Sequence, residues 1–262
     1  MADVAAASHA PPAHAMLAQL GELKRLAVVP AYNEEASVGR VIDEIRAFDP
    51  GFDIVVVDDG SIDRTAGVAA DRGAHVVRLP FNLGIGGAVQ TGYRYAFEHG
   101  YDLAAQIDGD GQHDPGQLPK ILAPLLAGTA DLVVGSRFAE GGSAYRSSTT
   151  RRIGIKIFAG IVSAVVRQRV TDTTSGFRAV NRKGIALFAA DYPHDYPEVE
   201  ATVMSVKHKL RLQEVPVEMR ERSGGRSSIT ALRSVYYMAK VLLAIFVGLF
   251  RRYAVPVEEE HR

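Results

Sequence analysis

The chain contains no cysteine, which excludes a disulfide framework and a thiolate zinc site and fits a cytoplasmic protein. It also carries no net charge: Lys plus Arg and Asp plus Glu both number 30. Nothing global draws it to nucleic acid, and any attraction to a membrane surface has to come from local clusters. No apolar run reaches the roughly 18–20 residues that a bilayer-spanning helix needs. Met1 to His14 is rich in Ala, Pro and His, with neither a basic start nor a long apolar stretch, so it does not read as a signal peptide. Residues 1–24 are expected to form a mobile tail, with a short helix near Met16–Leu23. No internal repeat is found. What is present is 262 residues, 47% of them apolar, enough core for one large domain or two small ones.

From Leu26 onward strand and helix patterns alternate. Leu26-Ala27-Val28-Val29 reads as a buried strand ended by Pro30, and Ser37 to Phe48 as a helix with Val38, Val41, Ile42 and Ile45 on one face. Strands are expected at Ile54–Val57, His75–Leu79, Leu103–Ile107 and Asp131–Val134, and helices at Thr65–Arg72, Gly84–Glu98 and Leu118–Leu126. This alternation predicts a parallel sheet covered on both faces. Ligands of such sheets bind outside the carboxyl ends of the strands, where Pro30, Asp58 and Asp108 would share one cleft. Further on, Arg151–Val166 is strongly apolar, with Lys156, Gly160, Ser163 and Arg167 in one narrow stripe. Asp172–Arg178 reads as a polar loop, Glu198–Leu210 as a helix and Arg211–Met219 as a strand. Glu221–Ser228 is a charged Gly/Ser-rich loop, and Tyr236–Phe250 is apolar apart from Lys240.

The strongest chemical signal is Asp108-Gly109-Asp110-Gly111-Gln112 after the strand Leu103–Ile107. Two carboxylates and an amide at alternate positions are hard oxygen donors. They suit Mg²⁺ or Mn²⁺ with substrate phosphates completing the shell. An ordinary Asp/Gly turn explains one acidic strand end easily, but Asp58-Asp59-Gly60-Ser61 is a second. Gly84-Ile85-Gly86-Gly87 is equally a phosphate loop at a helix start and a close-packing helix. Arg137 is equally a bidentate phosphate ligand and a surface ion-pair partner. Glu198 and Glu200 read first as acids favoured in an initial helical turn, and as catalytic groups second. The histidines, His113 included, show no metal spacing and no special role. Ile153–Val166 and Tyr236–Phe250, each with basic flanks, are read as interfacial membrane helices ahead of core helices.

Val29-Pro30-Ala31-Tyr32-Asn33-Glu34, Val57-Asp58-Asp59-Gly60-Ser61 and Asp108-Gly109-Asp110-Gly111-Gln112-His113 occur in that order. With them the chain resembles family 2 glycosyltransferases of the GT-A fold. Gly135-Ser136-Arg137-Phe138 and Thr174-Ser175-Gly176-Phe177-Arg178 make it similar to dolichyl-phosphate mannose synthases and bacterial polyprenyl-phosphate glycosyltransferases. The resemblance implies an α/β fold: a Rossmann-like, mostly parallel sheet with helices on both faces, plus C-terminal amphipathic helices. The GT-A domain would span residues 25–228, and a membrane-associating helix and tail residues 229–262.

By the same resemblance, Pro30, Tyr32, Glu34, Asp58, Asp59 and Asp108 bind the nucleotide-diphosphate sugar donor. Asp108, Asp110 and Gln112 hold Mg²⁺ or Mn²⁺, and Asp110 and Arg137 are catalytic. Arg222 and Ser227 meet the acceptor phosphate, with Ser228 standing where the family usually has lysine and Arg226 compensating. The implied reaction transfers a sugar, with inversion, to a polyprenyl phosphate. The protein would lie peripherally at the inner face of the plasma membrane, with a small separate membrane protein and a second copy of the chain as candidate partners and nucleic acid excluded. A phosphate acceptor is already anionic and needs no general base. A saccharide hydroxyl acceptor, the alternative, needs one, with Glu198, Glu200 and Asp172 as candidates. Two further readings are weaker. Intact Asp108, Asp110 and Arg137 argue against a nucleotide-sugar-binding subunit without turnover, and Pro30–Glu35 lacks the Gly-rich basic loop of a nucleotidyltransferase.

Overall fold

Strand β1, Arg25–Ala31, is buried along its whole length and lies in the interior of the sheet. The structure is a computed structural model. It describes residues 20–139 and 149–220, the backbone alone over 149–157, together with Lys240 and Leu243. Helix α1 (Val38–Phe48), β2 (Asp53–Asp58), α2 (Thr65–Asp71), β3 (His75–Arg78), α3 (Gly84–Glu98) and β4 (Leu103–Gln106) follow in order. After a short 3₁₀ turn at Pro115–Gln117 come α4 (Leu118–Leu126), β5 (Leu132–Ser136), α5 (Thr149–Val166), β6 (Arg178–Asn181), α6 (Arg182–Ala190), α7 (Pro197–Lys207) and β7 (Leu212–Pro216).

The seven strands of the described residues lie in the order β3-β2-β1-β4-β6-β5-β7. β6 runs antiparallel to both neighbours, β4 and β5, and the other pairings are parallel. Successive side chains of a strand point to opposite faces, and both faces here are apolar. Leu26, Val28, Val55 and Val57 meet α3, α5, α6 and α7. Ala27, Val29, Ile54 and Val56 meet α1, α2 and α4. This is why the strands read as continuous apolar runs.

Two details depart from the sequence reading. Pro30 does not end β1, which continues to Ala31 and pairs Pro30 with Val57. The Pro30 carbonyl accepts from Gly109 N at 3.1 Å, so its missing N–H faces the β4 side, beyond the last paired residue of that strand. Strand β6 and helix α6 fall in a segment where no elements were expected. Asn181 ends one and starts the other, its side chain accepting from Lys183 N at 3.0 Å and Gly184 N at 3.3 Å. Of the two equal readings of Gly84–Gly87, close packing is met at Gly86 and Gly87. A Cβ on Gly86 would lie 2.3 Å from the Pro193 carbonyl oxygen, and one on Gly92 would lie 2.1 Å from Val28 Cγ1.

Over its described side chains α5 turns Phe158, Ala159, Val162 and Val166 into the core and leaves Ile161 37% exposed. Its C-terminus is closed by Arg167 in the left-handed region, φ 55°. Among the described residues no helix is long and apolar enough to cross a membrane. Tyr236–Phe250, apart from Lys240 and Leu243, lies outside the described residues.

Candidate active site

Asp108 and Asp110 stand just past the carboxyl end of β4, where the sheet stops pairing. The turn needs its glycines. Gly109 N bonds to the Pro30 carbonyl, and a Cβ there would press on Ala31 and Pro30 at 3.1 Å. Gly111 adopts φ +78°, a conformation that costs little only for glycine. Asp110 Oδ1 accepts from Gln112 N at 2.9 Å, and Asp108 Oδ1 accepts from Gln106 Nε2 at 3.2 Å. Asp108, Asp110 and Gln112 are all half-buried. Among the described residues no three His, Asp or Glu side chains gather as a metal cage. The donor set is two carboxylates and one amide oxygen, which fits a hard cation that keeps room for substrate phosphates.

His113 has a role that its spacing did not reveal. It is 4% exposed and stacks on Phe177 with ring centroids 4.8 Å apart and an interplanar angle of 11°. Its Nδ1 accepts from Asp108 N at 3.0 Å, so the ring proton sits on Nε2, 3.6 Å from Asp108 Oδ2. The histidine thereby orients the first carboxylate and locks the β4 turn to the segment before β6. The turn is also tied to the segment that follows β7. Arg220 N bonds to the Gln112 carbonyl at 2.9 Å, and Arg220 Nη2 bonds to Asp114 Oδ1 at 2.9 Å. Arg222, Arg226 and Ser227 themselves lie outside the described residues.

Around Tyr32, Glu34, Asp58 and Asp59 the loops are laced together. Asn33 N bonds to Ser61 Oγ, Ile62 N to Asn33 Oδ1, and Glu34 N to Thr65 Oγ1. Tyr32 is 46% exposed, and Glu34 Oε2 accepts from Ser37 Oγ at 2.8 Å. Asp58 is fully buried. Its Oδ1 accepts from Ser61 N at 2.9 Å, and its Oδ2 lies 3.2 Å from Arg78 Nε. Asp59 has both oxygens engaged at the start of α3, by Leu83 N at 2.7 Å and Gly84 N at 2.9 Å. It therefore occupies the helix N-terminus that a phosphate would use. Burial pushes the Asp59 carboxyl up, against those two N–H groups. A cavity of about 360 Å³ opens beside this pair, lined by Gly60, Ser61, Arg78, Leu79 and Pro80.

Across the cleft, Arg137 follows β5 and makes a two-pronged ion pair with Asp172, Nε to Oδ2 at 2.7 Å and Nη2 to Oδ1 at 2.8 Å. Thr174 Oγ1 accepts from Nη2 as well. Glu214 on β7 fixes this anchor by accepting from Thr171 N, Thr171 Oγ1 and Asp172 N. Asp172, 2% exposed, is thus the mount of Arg137, and its oxygens are unsuited to taking a substrate proton. Glu200 Oε1 accepts from Tyr196 N at 3.2 Å in the first turn of α7, the place where an acid is favoured by the helix dipole. Glu198 differs: burial pushes its carboxyl up, while Arg178 and Arg137 pull it down and Asp108 adds to the rise. It stands among the charges of the cleft.

A mostly parallel sheet with one reversed strand, and an acidic pair at the carboxyl end of a central strand, define a glycosyltransferase of the GT-A fold. The glycosyl transferase family 2 model matches residues 26–188, more than half of the chain, and the chain belongs to that family. An undecaprenyl-phosphate mannosyltransferase of Micrococcus luteus is 33% identical over 216 residues, 79% of this chain and 88% of that protein. A polyprenol monophosphomannose synthase of Mycolicibacterium smegmatis is 30% identical, over 83% of this chain and 85% of its own length. The crystal structure of glucosyl-3-phosphoglycerate synthase from Mycobacterium tuberculosis, in complex with Mn²⁺, UDP and glucosyl-3-phosphoglycerate, shares the fold. Its TM-score is 0.67 at 22% identity, covering 89% of this chain and 82% of that one.

Proposed function

We propose that this glycosyltransferase moves a sugar, with inversion, from a nucleotide-diphosphate sugar to a polyprenyl phosphate. The observation that carries the donor half is the convergence of Asp108, Asp110 and Gln112 at the carboxyl end of β4. The acceptor half is supported by the two relatives, whose names state polyprenyl-type acceptors. Asp108 and Asp110 would hold Mg²⁺ or Mn²⁺ with help from Gln112, and the cation would offset charge on the departing nucleoside diphosphate. Pro30, Tyr32 and Glu34 line the donor side. Ser61 and Arg78 line the neighbouring cavity, with Asp58 buried behind them, and Asp59 holds the start of α3 in place. Arg137, fixed by Asp172, presents a rigid positive charge to a phosphate without reorganising during the reaction. Arg222, Arg226 and Ser227, which follow Arg220 in sequence, receive the acceptor phosphate. The acceptor oxygen is already anionic, so no group of the chain needs to take a proton from it.

Peripheral membrane contact belongs to the same proposal. With Phe158, Val162 and Val166 committed to the core, the surface that α5 offers to a bilayer is the face bearing Ile161. The decisive experiment incubates the protein with labelled nucleotide sugars, Mn²⁺ and a short polyprenyl phosphate, then extracts with organic solvent. Label in the organic phase is expected. Label that stays aqueous on an added saccharide overturns the lipid reading and makes Glu198 the candidate base. For the membrane part, flotation with anionic vesicles is expected to fall in Ile161→Asp while the fold is kept. Unchanged flotation in that variant removes α5 from the contact.

A further inference from the structure

Among the described residues, five buried side-chain nitrogen or oxygen atoms have no protein hydrogen-bond partner, and four of them belong to three residues on one face of the sheet: Arg178 Nε and Nη1, Gln106 Oε1 and Tyr93 Oη. Arg178 and Tyr93 are wholly buried and Gln106 is 1% exposed. Gln106 and Arg178 are register partners across β4 and β6, so their side chains rise from the same face of the sheet. Arg178 uses only Nη2, which donates to the Ser175 carbonyl at 2.6 Å and the Glu198 carbonyl at 3.2 Å. Its charge acts on the hydroxyls of both Tyr93 and Tyr192.

Buried polar atoms are satisfied in folded proteins by protein groups or by internal water. Here the unused atoms are complementary: two guanidinium donors, one amide acceptor and one hydroxyl that can be either. A water molecule accepting from Arg178 and donating to Gln106 Oε1 and Tyr93 Oη meets the usual number of partners for a buried water. The amide orientation follows from chemistry. Only the NH₂ of Gln106 can face the Asp108 carboxylate, so its oxygen must face away, toward Arg178.

We propose that Arg178, Gln106 and Tyr93 enclose an internal water site, and that through it Arg178 is a positioning residue for Asp108. The chain of contacts runs from the guanidinium to water, to the Gln106 amide, and to Asp108 Oδ1. Asp108 then meets a cation with a fixed orientation, and a buried positive charge stands behind it. This role rests on the reading of Asp108 as a cation ligand.

Two measurements test it. A high-resolution crystal structure is expected to show ordered water within hydrogen-bond distance of both Arg178 and Gln106 Oε1; an empty site, or direct contact between the two side chains, overturns the water site. Mn²⁺ binding to the purified protein, followed by the electron paramagnetic resonance of free Mn²⁺, tests positioning. Arg178→Met and Gln106→Met should each weaken binding by about 10-fold, the scale of losing an outer-shell partner. The double variant should be no weaker than the worse single one, because both are links in one chain. Altered melting with unchanged Mn²⁺ binding, or losses that multiply, overturns the positioning role. If Arg178→Met does not fold, Arg178→Lys and Gln106→Met decide the same question. Wild-type protein that binds no Mn²⁺ removes the cation reading and the positioning role together, and the crystal structure still decides the water site.

Discussion

Strand β6 ends in a buried polar cluster on each side, and the two are built on different principles. Away from the cleft, Asp131 accepts from Arg211 Nε and Nη2 at 2.8 Å, from Arg211 N at 2.9 Å and from Asn181 Nδ2 at 2.8 Å. Both oxygens are served, and the Arg211 side chain bond holds the Asp131 carboxyl well below the usual carboxylate range. The cluster clamps β5, β6 and β7 where they start or end. At the cleft, Arg178 and Gln106 carry donors and an acceptor that no protein group among the described residues meets, within reach of Asp108. A closed network rigidifies and needs nothing more, whereas an open one depends on what else occupies it. Buried polarity of the first kind supports the fold, and that of the second kind belongs beside a site.

The largest expected effect is at the cleft. Asp110→Asn should lower turnover roughly 100-fold or more, the scale of removing one preorganised group that stabilises transition-state charge, while thermal unfolding stays unchanged. Steady-state kinetics checks this, excess chelator should reproduce it, and full activity in either case would break the functional side of the comparison. At the other end, Asp131→Ala should cost about 1–3 kcal/mol in denaturant unfolding, because it strands the Arg211 amide and Asn181. Its kcat and KM should match wild type. Lost activity in folded protein would blur the two ends.

The pH dependence sharpens the contrast. Because Asp131 is more acidic folded than unfolded, its contribution is fully present above the unfolded value of about 3.9 and disappears as pH falls toward the folded one. The stability gap between wild type and Asp131→Asn should therefore hold from pH 7 to about 5 and narrow below about 4. A gap that widens in acid contradicts this. Arg178→Met should shift the unfolding midpoint less than Asp131→Ala, since an apolar group of similar length removes a half-satisfied buried charge. The smallest effect is expected for the exposed pair of Arg182 and Asp102, 2.7 Å apart. Arg182→Ala should change stability by about 0.5 kcal/mol or less, and a larger loss would show that surface pairs also brace β6.

The long elements were legible because their apolar periodicity is strong. Gly84–Glu98 and Leu118–Leu126 form helices with those bounds, and the acidic strand ends at Asp58 and Asp108 do gather at one edge of the sheet. Strand β6 was hidden because a four-residue strand that opens on a buried arginine has no alternating apolar pattern. The Asn181 cap followed by Ile185 and Phe188 was the available signal for α6. His113 was missed because its partners, Asp108 N and the Phe177 ring, sit at spacings that no metal or catalytic motif uses.

The sequence by itself determined the alternating α/β order, the acidic turn after β4 and the family, because period, glycine-bearing turns and motif order are local properties of the chain. Only the tertiary structure decided which polar groups are committed. Arg137 faces Asp172 and Asp59 caps α3. Gly86 of α3 makes room for the backbone of Pro193 and His194, and Arg178 stands behind Asp108 with only Nη2 bonded to protein groups. Each of these depends on which segments meet across the sheet. In a chain whose strands pair in the order β3-β2-β1-β4-β6-β5-β7, that is set by the packing of distant residues on two apolar faces and not by any spacing along the chain.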